Sequence, residues 1–270
     1  MSLCVIAMFK NEGHILNDWI SHYFKQGVEK IFLIDNGSTD GYRIADDVRI
    51  EIVFDTDRYV QSQCYNKHFL DKCKRYDWVL VCDLDEFVYA HNGHSTINSY
   101  LNSLDQQVSQ VFVPWKIFGS NGNIYQPEHV FSSFTKRINY DKQDGFHGVR
   151  RLEDGTKVGF AKALVRTIYL KQFQIHAHNT SNNYWITSDN RRTADYNGFV
   201  RIDETILRES CLNLNHYAIQ SFDWFMRVKA TRGDNTNPDL NNVRNLNYFQ
   251  SFDGVSNDVD DLELAIITNN

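Results

Sequence analysis

Residues 77–87 read Asp77-Trp-Val-Leu-Val-Cys-Asp83-Leu-Asp85-Glu86-Phe87. The run from Trp78 to Cys82 is apolar throughout, as expected of a strand in the buried middle of a parallel sheet. Carboxylates then occupy three of the next four positions. A strand end fixes such side chains better than a loop does. Asp83 and Asp85 flank an apolar residue, so both can turn toward one cation while Leu84 packs away. A hard divalent cation takes oxygen ligands and bridges to substrate phosphates. The competing reading is a solvated acidic turn that only ends the strand. Asp-x-Asp alone is a cheap pattern, repeated here at Asp55/Asp57 and Asp258/Asp260. Only Asp83/Asp85 follows directly on an apolar strand.

The neighbouring segments give that strand its setting. Residues 3–9 form an apolar run, after which Asn11-Glu12 opens a helix carrying Ile15, Leu16, Trp19, Ile20, Tyr23 and Phe24 at helical spacing, with Gly27 as its stop. Residues 30–34 predict a second strand, ended by Asp35-Asn-Gly-Ser-Thr-Asp40. Residues 50–54 predict a third strand and 59–75 a helix. This βαβαβ rhythm predicts an α/β fold with a doubly wound, mostly parallel sheet and a ligand site at the carboxyl ends of its strands. The second half reads as strand pieces at 110–115, 147–151, 158–170 and 211–217, and a helix from about Ser221 carrying Phe222, Phe225 and Val228.

The bulk properties exclude several classes. The chain has 270 residues, enough for one large α/β domain or two small ones. With 28 Lys and Arg against 34 Asp and Glu, its net charge of -6 argues against a general nucleic-acid binder. No run of 18 apolar residues occurs, so no membrane span is expected. The apolar N-terminus lacks a basic region and a small-residue cleavage site, and reads as a buried strand rather than a signal peptide. Five cysteines without a Cys-x-x-Cys pair argue against a disulfide framework and for a cytoplasmic setting. Aromatic residues at 14 % suit either a sugar-handling cleft or an ordinary core.

Other strand ends carry further candidates, each with a plainer alternative. Glu12 suits a ribose hydroxyl, or merely a helix N-terminus. Asp35 suits a base or ribose, or merely a turn dense in turn formers. Asp55 ends the third strand. Trp115, ahead of Phe118-Gly-Ser-Asn-Gly122, reads as a sugar-stacking ring or as packed core. His176 and His178 fall on one face of a strand and could complete a metal site begun by the acids, or be a chance pair among ten histidines. His216 lies at another strand end. Lys162, Arg166 and Arg232 could meet phosphate oxygens, or be solvated surface.

Taken in order, these residues resemble a known family. The set is Ala7-Met-Phe-Lys-Asn-Glu12, Trp19-Ile20-x-His22, Ile34-Asp-Asn-Gly-Ser-Thr-Asp40, Gln63-x-Tyr65-Asn66, Asp83-Leu-Asp-Glu-Phe87, Trp115-x-x-Phe-Gly-Ser120, Lys162, His176, Asn215-His-Tyr217 and Lys229-x-x-Arg-Gly233. It is similar to the family 2-like and family 92-like glycosyltransferases from about residue 3 to 233. Each motif is unspecific; their order and spacing are specific. The resemblance implies a GT-A fold, Rossmann-like, with a smaller mixed acceptor-side region. Residues 1–240 would form one domain, its nucleotide-binding half ending near 115 and its acceptor half covering 116–240. Residues 241–270 would be a polar tail. A nucleotide-sugar donor (usually UDP-linked), a glycan or other hydroxyl acceptor, Mn²⁺ or Mg²⁺, and inversion at the anomeric carbon are implied.

By position, Ala7, Phe9, Lys10, Glu12, Asp35, Asp55, Asp83 and Lys162 would serve the nucleotide, and Asp83, Asp85 and His176 the metal. The catalytic candidates are Glu86 and Asp144, the latter as the base that takes the acceptor proton, with Asp141 and Glu153 as alternatives. Two other classes compete. A metal-dependent nucleotidyltransferase or phosphohydrolase could use a similar sheet. A nucleotidyltransferase should carry a Gly-rich loop after the first strand, where this chain has none. An inactive nucleotide-sugar binding module would not need the intact acids at 83, 85 and 86.

Overall fold

The computed structural model describes residues 1–58, 60–143, 148–193, 198–232 and 244–269. In chain order the elements are β1 (Leu3–Phe9), α1 (Gly13–Lys25), β2 (Lys30–Asp35), β3 (Ile50–Phe54), α2 (Gln61–Cys73), β4 (Trp78–Val81), β5 (Glu86–Ala90), α3 (Ile97–Asn102), β6 (Gln110–Ile117) and α4 (Val130–Ser133). There follow β7 (Lys136–Arg137), β8 (Val149–Arg151), β9 (Lys157–Arg166), β10 (Leu170–Gln172), β11 (Asn179–Thr180), β12 (Trp185–Thr187) and β13 (Phe199–Arg201). The last are α5 (Glu204–Glu209), β14 (Leu212–His216), α6 (Phe222–Arg227), α7 (Leu246–Asp253), β15 (Val259–Asp260) and α8 (Glu263–Asn269). No described helix is long and apolar enough to cross a membrane.

The first half follows its sequence pattern. β1 alternates between two cores: Leu3, Val5, Ala7 and Phe9 join Ile15, Leu16, Trp19 and Tyr23 of α1, while Cys4 and Ile6 join Cys64, Tyr65, Phe69 and Cys73 of α2. A period of two along the strand therefore puts the two helices on opposite faces. Gly13 starts α1 because a Cβ there would stand 2.7 Å from the Cβ of Tyr42. Its free N–H is taken by Asp40 at 2.8 Å, across the turn that follows β2.

The main sheet has eleven strands, along the path β3-β2-β1-β4-β9-β6-β14-β5, with β12 on β6 and β8 and β13 on β9. Its pairs are parallel from β3 to β4. Beyond that point the sheet is mixed rather than mostly parallel, although β14 and β12 each pair parallel with β6. β9 runs antiparallel to both β4 and β6, and β14 runs antiparallel to β5. β5 follows β4 after four residues but does not pair with it: it lies at the other end of the sheet beside β14, and β9, arriving from the second half of the chain, takes the place beside β4. Residues 158–170, read as one strand, divide into β9, a 3₁₀ turn at Thr167–Tyr169 and β10. β5 itself was hidden inside what reads as an acidic turn. The five cysteines are free thiols.

Residues after 243, read as part of a polar tail, fold back onto the sheet. Phe249, Phe252 and Leu264 are buried. Acidic side chains in this segment meet buried cations: Lys116 Nζ lies 2.7 Å from Glu263 and 3.2 Å from Asp261, and Arg137 Nε lies 2.7 Å from Asp261. Arg137 also pairs with Glu204 at 2.8 Å. Burial alone would raise these acids, yet Lys116 outweighs it at both, helped by Arg137 at Asp261 and by Tyr89 and His91 at Glu263, and both are held below the usual carboxylate range. A carboxylate lowered in the folded state stabilises the fold above its unfolded pKa and loses that contribution as pH falls through the folded value. The tail therefore loosens in acid. Removing one partner of a buried pair typically costs about 3–5 kcal/mol. Lys116→Met should lower the unfolding midpoint by a loss near the bottom of that range, and flatten the acid limb of the stability curve measured by thermal unfolding. An unchanged acid limb would show that the ion cluster is not what pins the segment.

Candidate functional site

The carboxyl ends of β1 and β4 open on a cavity of about 660 Å³. Phe9, Lys10, Glu12, Asp83, Asp85, Trp115, His176, His216, Lys229 and Arg232 all line it. The described lining carries five cations, Lys10, Arg58, Lys229, Arg232 and Arg244, against Glu12, Asp57, Asp83 and Asp85. In a chain of net charge -6 the lining thus holds one cation more than it holds acids, so positive groups are at hand for an anionic ligand. A second hollow of about 690 Å³ shares the 174–178 segment but has no carboxylate in its lining.

The acidic turn is built by strand register. Glu86 N–H closes it onto Asp83 O at 3.1 Å. β9 enters beside β4 from the opposite direction, with Leu80 facing Leu164, so Lys162 arrives beside the end of β4. Its ammonium lies 2.8 Å from Asp83 and 3.5 Å from Glu86, and is itself almost fully buried. Gln61 of α2 donates to the other Asp83 oxygen at 3.0 Å. β14 pairs His216 opposite Glu86, which brings its Nε2 within 3.6 Å of Asp85. Lys229, on the 3₁₀ turn after α6, bonds directly to the other Asp85 oxygen. Burial would raise Asp85, but Lys229 and His216 pull it well below the usual range.

Among the described residues, Asp85, Glu86 and His216 bring ligand atoms within 4.8 Å of one another, as a metal centre requires. His176 lines the same cavity but is held elsewhere: its Nδ1 meets Ala161 O at 2.9 Å and its ring stacks on Phe160 at 4.8 Å. Burial first, then Lys162, depress its pKa to about 4, so it is neutral. Trp115 packs against His216 at 4.2 Å between ring centres, and its indole N–H has no acceptor among the described residues.

The remaining candidates separate by what holds them. Glu12 is bound by Arg232 at 3.0 Å, and Arg232 also donates to Lys10 O at 2.7 Å, so the two clasp the loop after β1. Asp35 accepts from Ser38 N and Tyr42 Oη, within its own turn. Asp55 is held low by His68 and Lys67 of α2. Ala7 is buried core. None of these last three lines the cavity. Arg166 donates to Val108 O and Asp105 O beside Trp78, at the far end of β9. Asp144 lies outside the described residues. Lys229 and His216 were each present in the sequence motifs, but only the fold shows that both reach Asp85.

No protein-family model matches the chain. The curated relatives agree with one another. The chain is similar to family 92 glycosyltransferases. It is 25 % identical over 146 residues to one of Oryza sativa subsp. japonica, matching 51 % of this chain and 25 % of that protein. It is 26 % identical over 145 residues to one of Ricinus communis, matching 50 % and 26 %. One of Arabidopsis thaliana is 28 % identical over 123 residues, matching 43 % and 21 %. The matched stretches span about a quarter or less of these relatives' own length. The likeness to family 92 seen in the sequence motifs therefore holds over about half the chain.

Within this site, Glu86 is fully buried and does not line the cavity. Its Oε2 accepts from Asp83 N at 3.0 Å and its Oε1 has no hydrogen-bond partner among the described residues. Burial raises its pKa to about 8; Lys162 opposes this, while Asp83 and Asp85 reinforce it. The folded state thus keeps a proton that the unfolded chain releases above its ordinary value of 4.5. That contribution is complete below 4.5 and is lost as pH rises through 8. Glu86→Gln carries a permanently neutral group of the same shape. Its unfolding midpoint should fall less than that of the unaltered chain between those two pH values, and equal falls would refute a neutral Glu86.

Proposed function

We propose that the chain is a GT-A-type glycosyltransferase that moves a sugar from a nucleotide-diphosphate donor, UDP-linked in the first instance, to a hydroxyl acceptor. The observation that carries this is the convergence of an acidic strand-end turn, an imidazole and several cations on one cavity at the carboxyl ends of parallel strands. That is where open α/β sheets bind ligands. The similarity to family 92 glycosyltransferases points to the same chemistry.

The donor set fits a divalent cation. Two ligands about 2.1 Å from one ion, at angles of roughly 90–120°, lie roughly 3–3.6 Å apart. Asp85 Oδ1 and His216 Nε2 are 3.6 Å apart, too far for a hydrogen bond between them. The orphaned Glu86 Oε1 lies under the same cluster. Asp85 and His216 would hold Mn²⁺ or Mg²⁺, with Glu86 behind them, and the ion would supply positive charge to the departing diphosphate.

The chain's own residues do the rest. Phe9, Lys10 and the Glu12–Arg232 clasp form the wall against which the nucleotide is held. Lys162 keeps Asp83 ionised and in place, and Glu86 fixes the turn through the Asp83 N–H. In the displacement, a bond forms from the acceptor oxygen to the anomeric carbon as the bond from that carbon to phosphate oxygen breaks. The nucleoside diphosphate leaves as an anion. The hydroxyl proton passes to a carboxylate, for which Asp144 is the candidate on sequence, and the anomeric carbon inverts.

A panel of UDP, GDP, CMP and dTDP with and without Mn²⁺ tests this reading by thermal unfolding. One nucleotide should raise the midpoint by roughly 5–10 °C at about a hundred-fold excess over its dissociation constant. The shift should need Mn²⁺ and vanish in Asp85→Ala. Absence of any shift across the panel would remove the donor reading and favour a phosphohydrolase.

A further inference from the structure

Asp85 already has a cation. Its carboxylate bonds to the Lys229 ammonium, and both side chains are less than a tenth exposed. Asp85 is the one acceptor that Lys229 has among the described residues. The ammonium otherwise lies 5.8 Å from the ring centre of Trp224. A divalent ion on the other Asp85 oxygen would stand within about 4–5 Å of that ammonium, where like charges repel strongly in a water-poor site. The two cations therefore compete for the charge of one buried carboxylate. Lys229 nevertheless lines the cavity, so its ammonium can leave Asp85 without being driven into the core.

We propose that Lys229 is the resident counter-ion of Asp85, which a divalent cation must displace in order to bind, so that this lysine sets the metal affinity of the site. The inference rests on the metal reading above. It makes Lys229 a positioning residue: without metal it keeps Asp85 ionised and the turn in shape, and it defines the charge that an entering ion replaces.

The test is calorimetric titration of MnCl₂ into the full chain without nucleotide. Lys229→Met should bind Mn²⁺ at least about ten-fold more tightly than the unaltered chain, because the competing charge is gone. Mn²⁺ should also raise its unfolding midpoint further. Lys229→Arg should restore the weaker affinity. Lys10→Met removes the same charge from the same cavity without touching Asp85, and should change affinity by less than about two-fold. Asp85→Asn should lose binding. Should Lys229→Met fail to fold, Lys229→Gln takes its place. Equal affinities for Lys229→Met and the unaltered chain, with binding still lost in Asp85→Asn, would overturn displacement and leave the metal reading standing. An equal gain in Lys10→Met would overturn it as a bulk charge effect. No Mn²⁺ binding in any form would overturn both.

Discussion

Placing Asp83, Asp85 and Glu86 at the buried end of β4 is tolerable only because cations are buried with them. Charges removed from water cost several kcal/mol each unless paired with good geometry. Lys162 meets that need for two of the three, reaching Asp83 at 2.8 Å and Glu86 at 3.5 Å. Even so, its single charge cannot hold both acids ionised: Asp83 is drawn below its usual range, while Glu86 is pushed up. The turn thus contains an anion at its mouth and a neutral acid beneath it. The neutral acid is the less costly state for a group with no exposure, and the anion is the useful state for one that lines the cavity.

This constraint reaches into the sheet. Lys162 stands beside the end of β4 because β9 passes there, running antiparallel to β4. At this place the entry of β9 into the sheet also sets the charge balance of the turn. β14 makes the same kind of contribution, since its pairing with β5 sets His216 opposite Glu86. β9 and β14 thus each bring one side chain to the acids, Lys162 and His216.

The legibility of the site in the sequence follows from the range of the interactions. β1, α1, β2, β3, α2 and β4 could be read because each is set by local periodicity and local punctuation. The Asp83–Glu86 turn could be read because a buried strand runs straight into it. β5 could not, because Glu86 looks like one more acid of a turn and only its pairing with β14 makes it a strand residue. His176 was favoured over His216 on motif position, yet both line the cavity and register alone puts His216 beside Asp85. Lys229 stands 144 residues from its partner. No spacing rule reaches that far. Asp35 and Asp55 looked alike as acids at strand ends; their own turns and helices bind them instead.

The segment beyond residue 243 shows how the second half is kept in register. One oxygen of Glu263 accepts from Tyr89 of β5 at 2.6 Å, from Lys116 of β6 at 2.7 Å and from Asn213 of β14 at 3.2 Å. Those strands also carry Glu86, Trp115 and His216. A single carboxylate on α8 therefore ties together three strands, two of which, β6 and β14, put Trp115 and His216 into the cavity wall. A slip of one residue in any of them would turn its site residue to the opposite face. The charge on Glu263 is kept in place by Lys116 against the pull of burial. The same device, an ammonium buried against a carboxylate, thus works twice, once beneath the acidic turn and once where the second half of the sheet is held to its register.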